Sequence, residues 1–126
     1  MAEETNQALG RRGEEAAAVF LQGLGQTIIA RNWRCRMGEI DLITREGDTL
    51  VFCEVKTRQS LRAGHPVEAV TLQKQTRYSR LADIWLSRHD QGDRSLRFDV
   101  VSICVTGPHR AEISLFRSAF SYVEVR

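Results

Sequence analysis

The stretch GEIDLITREGDTLVFCEVKTR, residues 38–58, decides the fold. Two apolar runs, 37–44 and 49–58, flank the turn residues Arg45-Glu46-Gly47-Asp48. That is the signature of a β-hairpin. Side chains alternate along a strand, so Val51, Cys53, Val55 and Thr57 share one face and Phe52, Glu54, Lys56 and Arg58 the other. Glu54 and Lys56 then lie roughly 7 Å apart along the strand. Pairing Thr44 with Thr49 sets Asp41 opposite Phe52 and Glu39 opposite Glu54. Opposed residues point the same way. Asp41, Glu39, Glu54 and Lys56 are therefore expected on one face. A slip of one residue would turn Asp41 to the other side.

Outward from the hairpin, Leu9, Ala16, Ala17, Phe20 and Leu24 recur at helical spacing, and Gly23 and Gly25 close a helix expected over 6–23. A strand is expected over 27–34. A polar loop, 59–66, holds Gly64 and Pro66, and a long helix over 67–88 ends before Gln91-Gly92-Asp93. An apolar strand over 96–105 and a last strand over 111–116 follow, and the tail beyond Phe116 is left unplaced. The order is α-β-β-β-α-β-β. It predicts one α/β domain over 1–126, with a mixed central sheet between helices in an α/β/α arrangement.

At 126 residues the chain is one domain long enough to bury a core without disulfides or structural metal. The three Cys lack CxxC spacing and the three His are scattered, so no zinc pattern exists. Unpaired Cys in apolar runs suits a reducing compartment. Arg11-Arg12 is followed by Glu14 and Glu15, unlike a twin-arginine leader, and no run approaches a membrane span. A cytoplasmic protein with no membrane partner is expected. The net charge of +2 implies no large overall field. Between residues 56 and 80, however, Lys56, Arg58, Arg62, Lys74, Arg77 and Arg80 face only Glu68, a local basic patch.

Carboxylates gathered on one face repel unless a cation joins them. Oxygen ligands favour a hard divalent ion, Mg²⁺ or Mn²⁺. Asp41, Glu54 and Lys56 thus suit hydrolysis of a phosphodiester. Glu-x-Lys on a strand is also a common solvated pattern, but Lys56 is one of two Lys in the chain. The other, Lys74, falls with Arg77 inside the apolar stripe of Val70, Tyr78, Leu81 and Trp85. These two cations read either as snorkelling at the helix margin or as turned to the sheet near the carboxylates. Glu14, at the edge of the first helix's stripe, reads equally as solvated or as a member of the site. Asp99 either supports the site from the fourth strand or pairs near Arg97.

These residues carry a resemblance. Asp41 followed by Glu54-x-Lys56 across a hairpin resembles the PD-(D/E)xK nuclease motif, whose setting is the restriction-endonuclease-like fold. The chain more closely resembles the YraN-like family of small bacterial proteins. The match rests on Gly13-Glu14-x-x-Ala17, Arg31 to Arg34, Gly38 to Ile43, Phe52 to Arg58, Glu68-Ala69-Val70 with Lys74 and Arg77, and Arg97 to Val101. The functional analogy is to archaeal Holliday-junction resolvases. It implies Glu14, Asp41 and Glu54 around a metal ion, with Lys56 as the catalytic lysine. Some related nucleases carry Gln-x-x-x-Tyr on the next helix, where this chain has Lys74-x-x-x-Tyr78; Ile40 replaces the motif's proline.

Two functions follow as expectations. One is a Mg²⁺- or Mn²⁺-dependent endonuclease acting on DNA rather than RNA, branched or damaged DNA included. There Asp41, Glu54 and Lys56 are catalytic, Glu39 and Asp99 are secondary candidates, and Arg58, Arg62, Lys74 and Arg77 hold phosphates. The other is a non-catalytic nucleic-acid-binding module on the same fold. A second copy of the chain is a further expected partner, since small proteins of this fold often offer two sites to a duplex.

Overall fold

A computed structural model describes residues 5–59, 70–89 and 95–124. Its elements are α1 (Asn6–Gly23), β1 (Thr27–Cys35), β2 (Gly38–Glu46), β3 (Thr49–Arg58), α2 (Leu72–Arg88), β4 (Ser95–Gly107) and β5 (Arg110–Phe120). The order matches the one read from the sequence. The strands lie in the sheet in chain order, β1-β2-β3-β4-β5. All neighbours are antiparallel except β3 and β4, which are parallel. Parallel neighbours need a crossover, and α2 lies in that connection.

Each sheet face carries one helix. Ala17, Ala18 and Leu21 of α1 pack on Leu42, Val51, Cys53, Val101 and Ile103. On the opposite face Tyr78, Leu81, Ala82 and Trp85 of α2 pack on Ile40, Ile43, Leu50, Phe52, Phe98 and Val100. A strand with both faces covered reads as a near-continuous apolar run, which is why β3 and β4 were legible. Gly13 lets α1 lie close on β3, because a Cβ there would collide with the Thr57 hydroxyl.

The boundaries correct three expectations. The second helix begins at Leu72, not residue 67: Thr71 caps it, its hydroxyl accepting the Lys74 N–H at 3.2 Å. The last strand runs on to Phe120. Ser118, at φ +52°, shifts its register between Phe98 and Val100, and Phe120 then stacks on Phe98 with ring centres 5.0 Å apart. The hairpin turn is two residues, not four, since Glu46 pairs with Thr49 around Gly47-Asp48. Gly47 sits at φ +60°, as the first position of a tight hairpin loop demands. Arg62, most of the 59–66 loop and the breaker Gln91-Gly92-Asp93 lie outside the described residues.

Candidate functional site

The site forms where β2 and β3 part. Their pairing ends at Leu42 and Cys53, which sets Asp41 level with Glu54 rather than Phe52. The two-residue register difference keeps each side chain on its face. Beyond the last pair, Asp41 Oδ2 accepts the Val55 N–H at 2.8 Å, so a carboxylate takes the place of a strand carbonyl. From the α2 side, the Tyr78 hydroxyl oxygen accepts from the Asp41 backbone N–H.

The expectation of one shared face is corrected here. Phe52 packs toward α2 and Cys53 toward α1, so Glu54 and Lys56 are turned to α2. On β2, Ile40 and Ile43 both pack toward α2 while Leu42 packs toward α1, so alternation breaks at Asp41. Level with it on β1 is Asn32, at φ +50°. This local twist swings Glu39 and Asp41 toward α1, where Glu14 waits. One carboxylate oxygen from each of Glu14, Glu39 and Asp41 lies within 4.8 Å of the others. Three anionic groups from two elements thus converge, beside a cleft of about 430 Å³ lined by Glu14, Glu39, Asn32, Arg34 and Arg11.

The electrostatics follow from burial and like charge. Asp41 is pushed up from 3.8 to about 7, first by burial and then by Glu14, Glu54 and Glu39; the Val55 N–H opposes the shift. Burial and Glu39 raise Glu14 in the same direction. Glu54 stands apart from the three. It is buried, and Oε1 forms an ion pair with Lys74 Nζ. Its Oε2 is buried with no hydrogen-bond partner among the described residues. Lys56 is made less basic by burial and by Lys74 and Arg58, against the pull of Glu54.

The remaining predicted residues divide. Lys74 does turn to the sheet, held by Glu54. Arg77 does not: it is exposed, with Cδ lying over Gly38. At 100° per residue it sits about 70° round the helix from the Tyr78–Leu81–Trp85 centre. Arg58 closes β3, partly buried. Asp99 is buried away from the carboxylate cluster. Arg97 holds both its oxygens, at 2.8 and 2.9 Å, and the Ser118 N–H donates to Oδ1 at 3.0 Å. Arg97 also reaches Glu46, which Arg117 grips in a two-bond fork. The alternative of Asp99 pairing near Arg97 is therefore the one realised. Sequence reasoning missed Glu46 and Arg117 because their partners are far apart in the chain.

Fold and site define an α/β protein whose mixed sheet opens at one end onto a cluster of three carboxylates toward α1, with Glu54 and two lysines toward α2. By sequence, the chain belongs to the family described as "Uncharacterised protein family UPF0102", whose model matches residues 13–103. A UPF0102 protein of Nocardia farcinica is 52% identical over 114 residues, covering 90% of each chain. A UPF0102 protein of Acidothermus cellulolyticus is 48% identical over 124 residues, covering 90% of this chain and 94% of its own. One from Caldicellulosiruptor saccharolyticus is 43% identical over 113 residues, covering 89% and 96%. The family match therefore spans Glu14, Glu39, Asp41, Glu54, Lys56 and Lys74 and leaves β5 outside. Among the described residues, no helix is long and apolar enough to cross a membrane.

Proposed function

We propose that the chain is a divalent-metal-dependent nuclease that hydrolyses phosphodiesters in nucleic acid. The observation that carries this reading is the convergence of Glu14, Glu39 and Asp41 within 4.8 Å. Carboxylates gathered in a half-buried place cost stability, and folded chains keep such groups where a function uses them. The cation beside them is Arg34, whose Nε lies 3.4 Å from Glu39 Oε2. The donors are all carboxylate oxygens, which suits Mg²⁺ or Mn²⁺. Glu54 is a further acidic group nearby: Lys74 holds its Oε1, and its buried Oε2 has no hydrogen-bond partner among the described residues. Glu14, Glu39 and Asp41 would hold the ion, and Glu54 would join them by giving up Lys74. When bound, such an ion supplies a polarised phosphoryl oxygen and a more acidic water.

The chain's own groups do the rest. Val55 N–H fixes the Asp41 carboxylate. The Lys56 ammonium, partly desolvated, can donate to the attacking water or to the charge that develops on the phosphate. Arg58 and Arg77 can meet flanking phosphates by their guanidinium forks. The resemblance to DNA nucleases supports DNA over RNA as substrate. The test is cleavage of end-labelled DNA, linear and branched, with Mn²⁺ present. The wild type should cut, and Asp41→Asn and Glu54→Gln should lose turnover by 100-fold or more, on the order expected for loss of a catalytic group. Wild-type rates in Asp41→Asn would overturn the assignment.

One observation favours the second reading, a nucleic-acid-binding module without cleavage: Lys74 already neutralises Glu54. Under that reading DNA binding is the same in EDTA and in Mn²⁺, and no variant changes turnover because there is none.

A further inference from the structure

The turn between β1 and β2 projects beside the start of α2. Met37 on the turn is 46% exposed and Leu72 in the first turn of α2 is 67% exposed. Together with Gln73, Thr76, Arg77 and Arg80 they line a groove of about 470 Å³. Arg36, exposed, precedes Met37 on the same turn. Among the described residues no carboxylate lines this groove. Its rim is cationic and its centre holds two apolar side chains.

We propose that this groove holds an unpaired nucleic-acid strand, with a base against Met37 and Leu72 and the phosphates on Arg77, Arg80 and Arg36. The proposal rests on the nucleic-acid reading above and specifies its substrate: single-stranded or locally unpaired nucleic acid rather than continuous duplex. Charge selects a polyanion, since arginine forks match phosphate oxygens. The apolar centre selects one whose base faces are open. In a duplex those faces are stacked, and Met37 and Leu72 would meet only sugar and phosphate. A flexible, polarisable thioether suits contact with a base face, and Met and Leu serve as wedges at unstacked steps. A protein partner fits less well. Two apolar side chains and no aromatic make a poor hot spot for a protein partner.

Position ties the groove to the carboxylates. Gly38, at φ +145°, lies under Arg77: a Cβ there would stand 3.6 Å from its Cδ. The next residue is Glu39, one of the three converging carboxylates. Glu39 turns toward α1 and the groove lies along α2, so a strand joining the two would pass round the end of the sheet at Gly38.

The test is fluorescence anisotropy with labelled oligothymidylate and with a duplex of equal length, both in EDTA so that cleavage plays no part. The wild type should bind the single strand at least tenfold more tightly than the duplex. Met37→Ser combined with Leu72→Ser should close that gap by about tenfold, the order of one lost base contact. Both side chains are exposed, and thermal unfolding of the double variant should match the wild type. Arg77→Ala with Arg80→Ala should weaken both ligands and reduce the salt dependence. Equal affinity for the two forms, or an unchanged gap in the double variant, would overturn the groove proposal. So would displacement of the single strand by a polyglutamate peptide at lower concentration than by unlabelled oligothymidylate. If the wild type binds neither form, the nucleic-acid reading fails as well; if it cleaves DNA yet shows no gap, the groove proposal alone fails.

Discussion

Asp41→Asn should make the metal-free protein more stable, and by an amount that depends on pH. Asparagine keeps the shape of the side chain and an oxygen for the Val55 N–H, while it removes the charge that Glu14, Glu39 and Glu54 oppose. The folded-state value of about 7 against 3.8 corresponds to at most about 4 kcal/mol, at 1.36 kcal/mol per pH unit. Solvent reaching a half-buried carboxylate reduces this to on the order of 2 kcal/mol. The sign follows from proton linkage. Between 3.8 and 7 the folded protein binds more protons at Asp41 than the unfolded chain, so stability falls as pH rises through that window and levels off above it. Urea unfolding in EDTA measures the effect. The variant should exceed the wild type by about 2 kcal/mol at pH 8, with the same slope in urea, and the difference should nearly vanish at pH 4. A variant less stable than the wild type at pH 8 would refute the claim that this carboxylate is held in an anionic cluster at the expense of stability.

Other changes test separate parts of the structure. Lys74→Met removes the ammonium that neutralises Glu54. It should tighten Mn²⁺ binding several-fold by calorimetry, since a cation beside a cation site repels its ligand; weaker binding would contradict the placement of Glu54 at the ion. Gly13→Ala drives a Cβ into the Thr57 hydroxyl and should cost about 1–3 kcal/mol by thermal unfolding, with partial rescue by Thr57→Ala. Arg97→Ala leaves the buried Asp99 with only the Ser118 N–H and should cost about 3–5 kcal/mol in urea. Because Asp99 lies outside the carboxylate cluster, the same variant should leave the Mn²⁺ isotherm of the folded protein unchanged.

The architecture was legible because its signals are local. The apolar runs of β3 and β4 and the helical spacing in α1 and α2 each fall within one short window. Gly47 sits where the turn needs a positive φ. What escaped depended on contacts between distant segments. The start of α2 at Leu72 is set by the Thr71 cap rather than by apolar spacing. The extension of β5 needs the Ser118 kink and the Phe98 partner.

The candidate site was legible in its members but not in its geometry. Alternation alone puts Asp41 and Glu54 on one face. The twist at Asn32 and Asp41, a property of two strands together, instead brings Asp41 to Glu14 and leaves Glu54 to Lys74. Of the two readings of Arg77, the snorkelling one is realised, its stem over Gly38 and the residue exposed, for a related reason. A helical wheel assigns angles but not the centre of the buried stripe, which the packing of Tyr78, Leu81 and Trp85 sets.

The central claim is that the acidic groups at the parting of β2 and β3 are a divalent-cation site. Calorimetric titration of Mn²⁺ at pH 8 into the wild type, Asp41→Asn and Glu54→Gln tests it directly, run once with protein alone and once with an oligonucleotide present. The account predicts saturable binding in the wild type and its loss in both variants. No binding by the wild type under either condition, or the same isotherm in all three proteins, would contradict it.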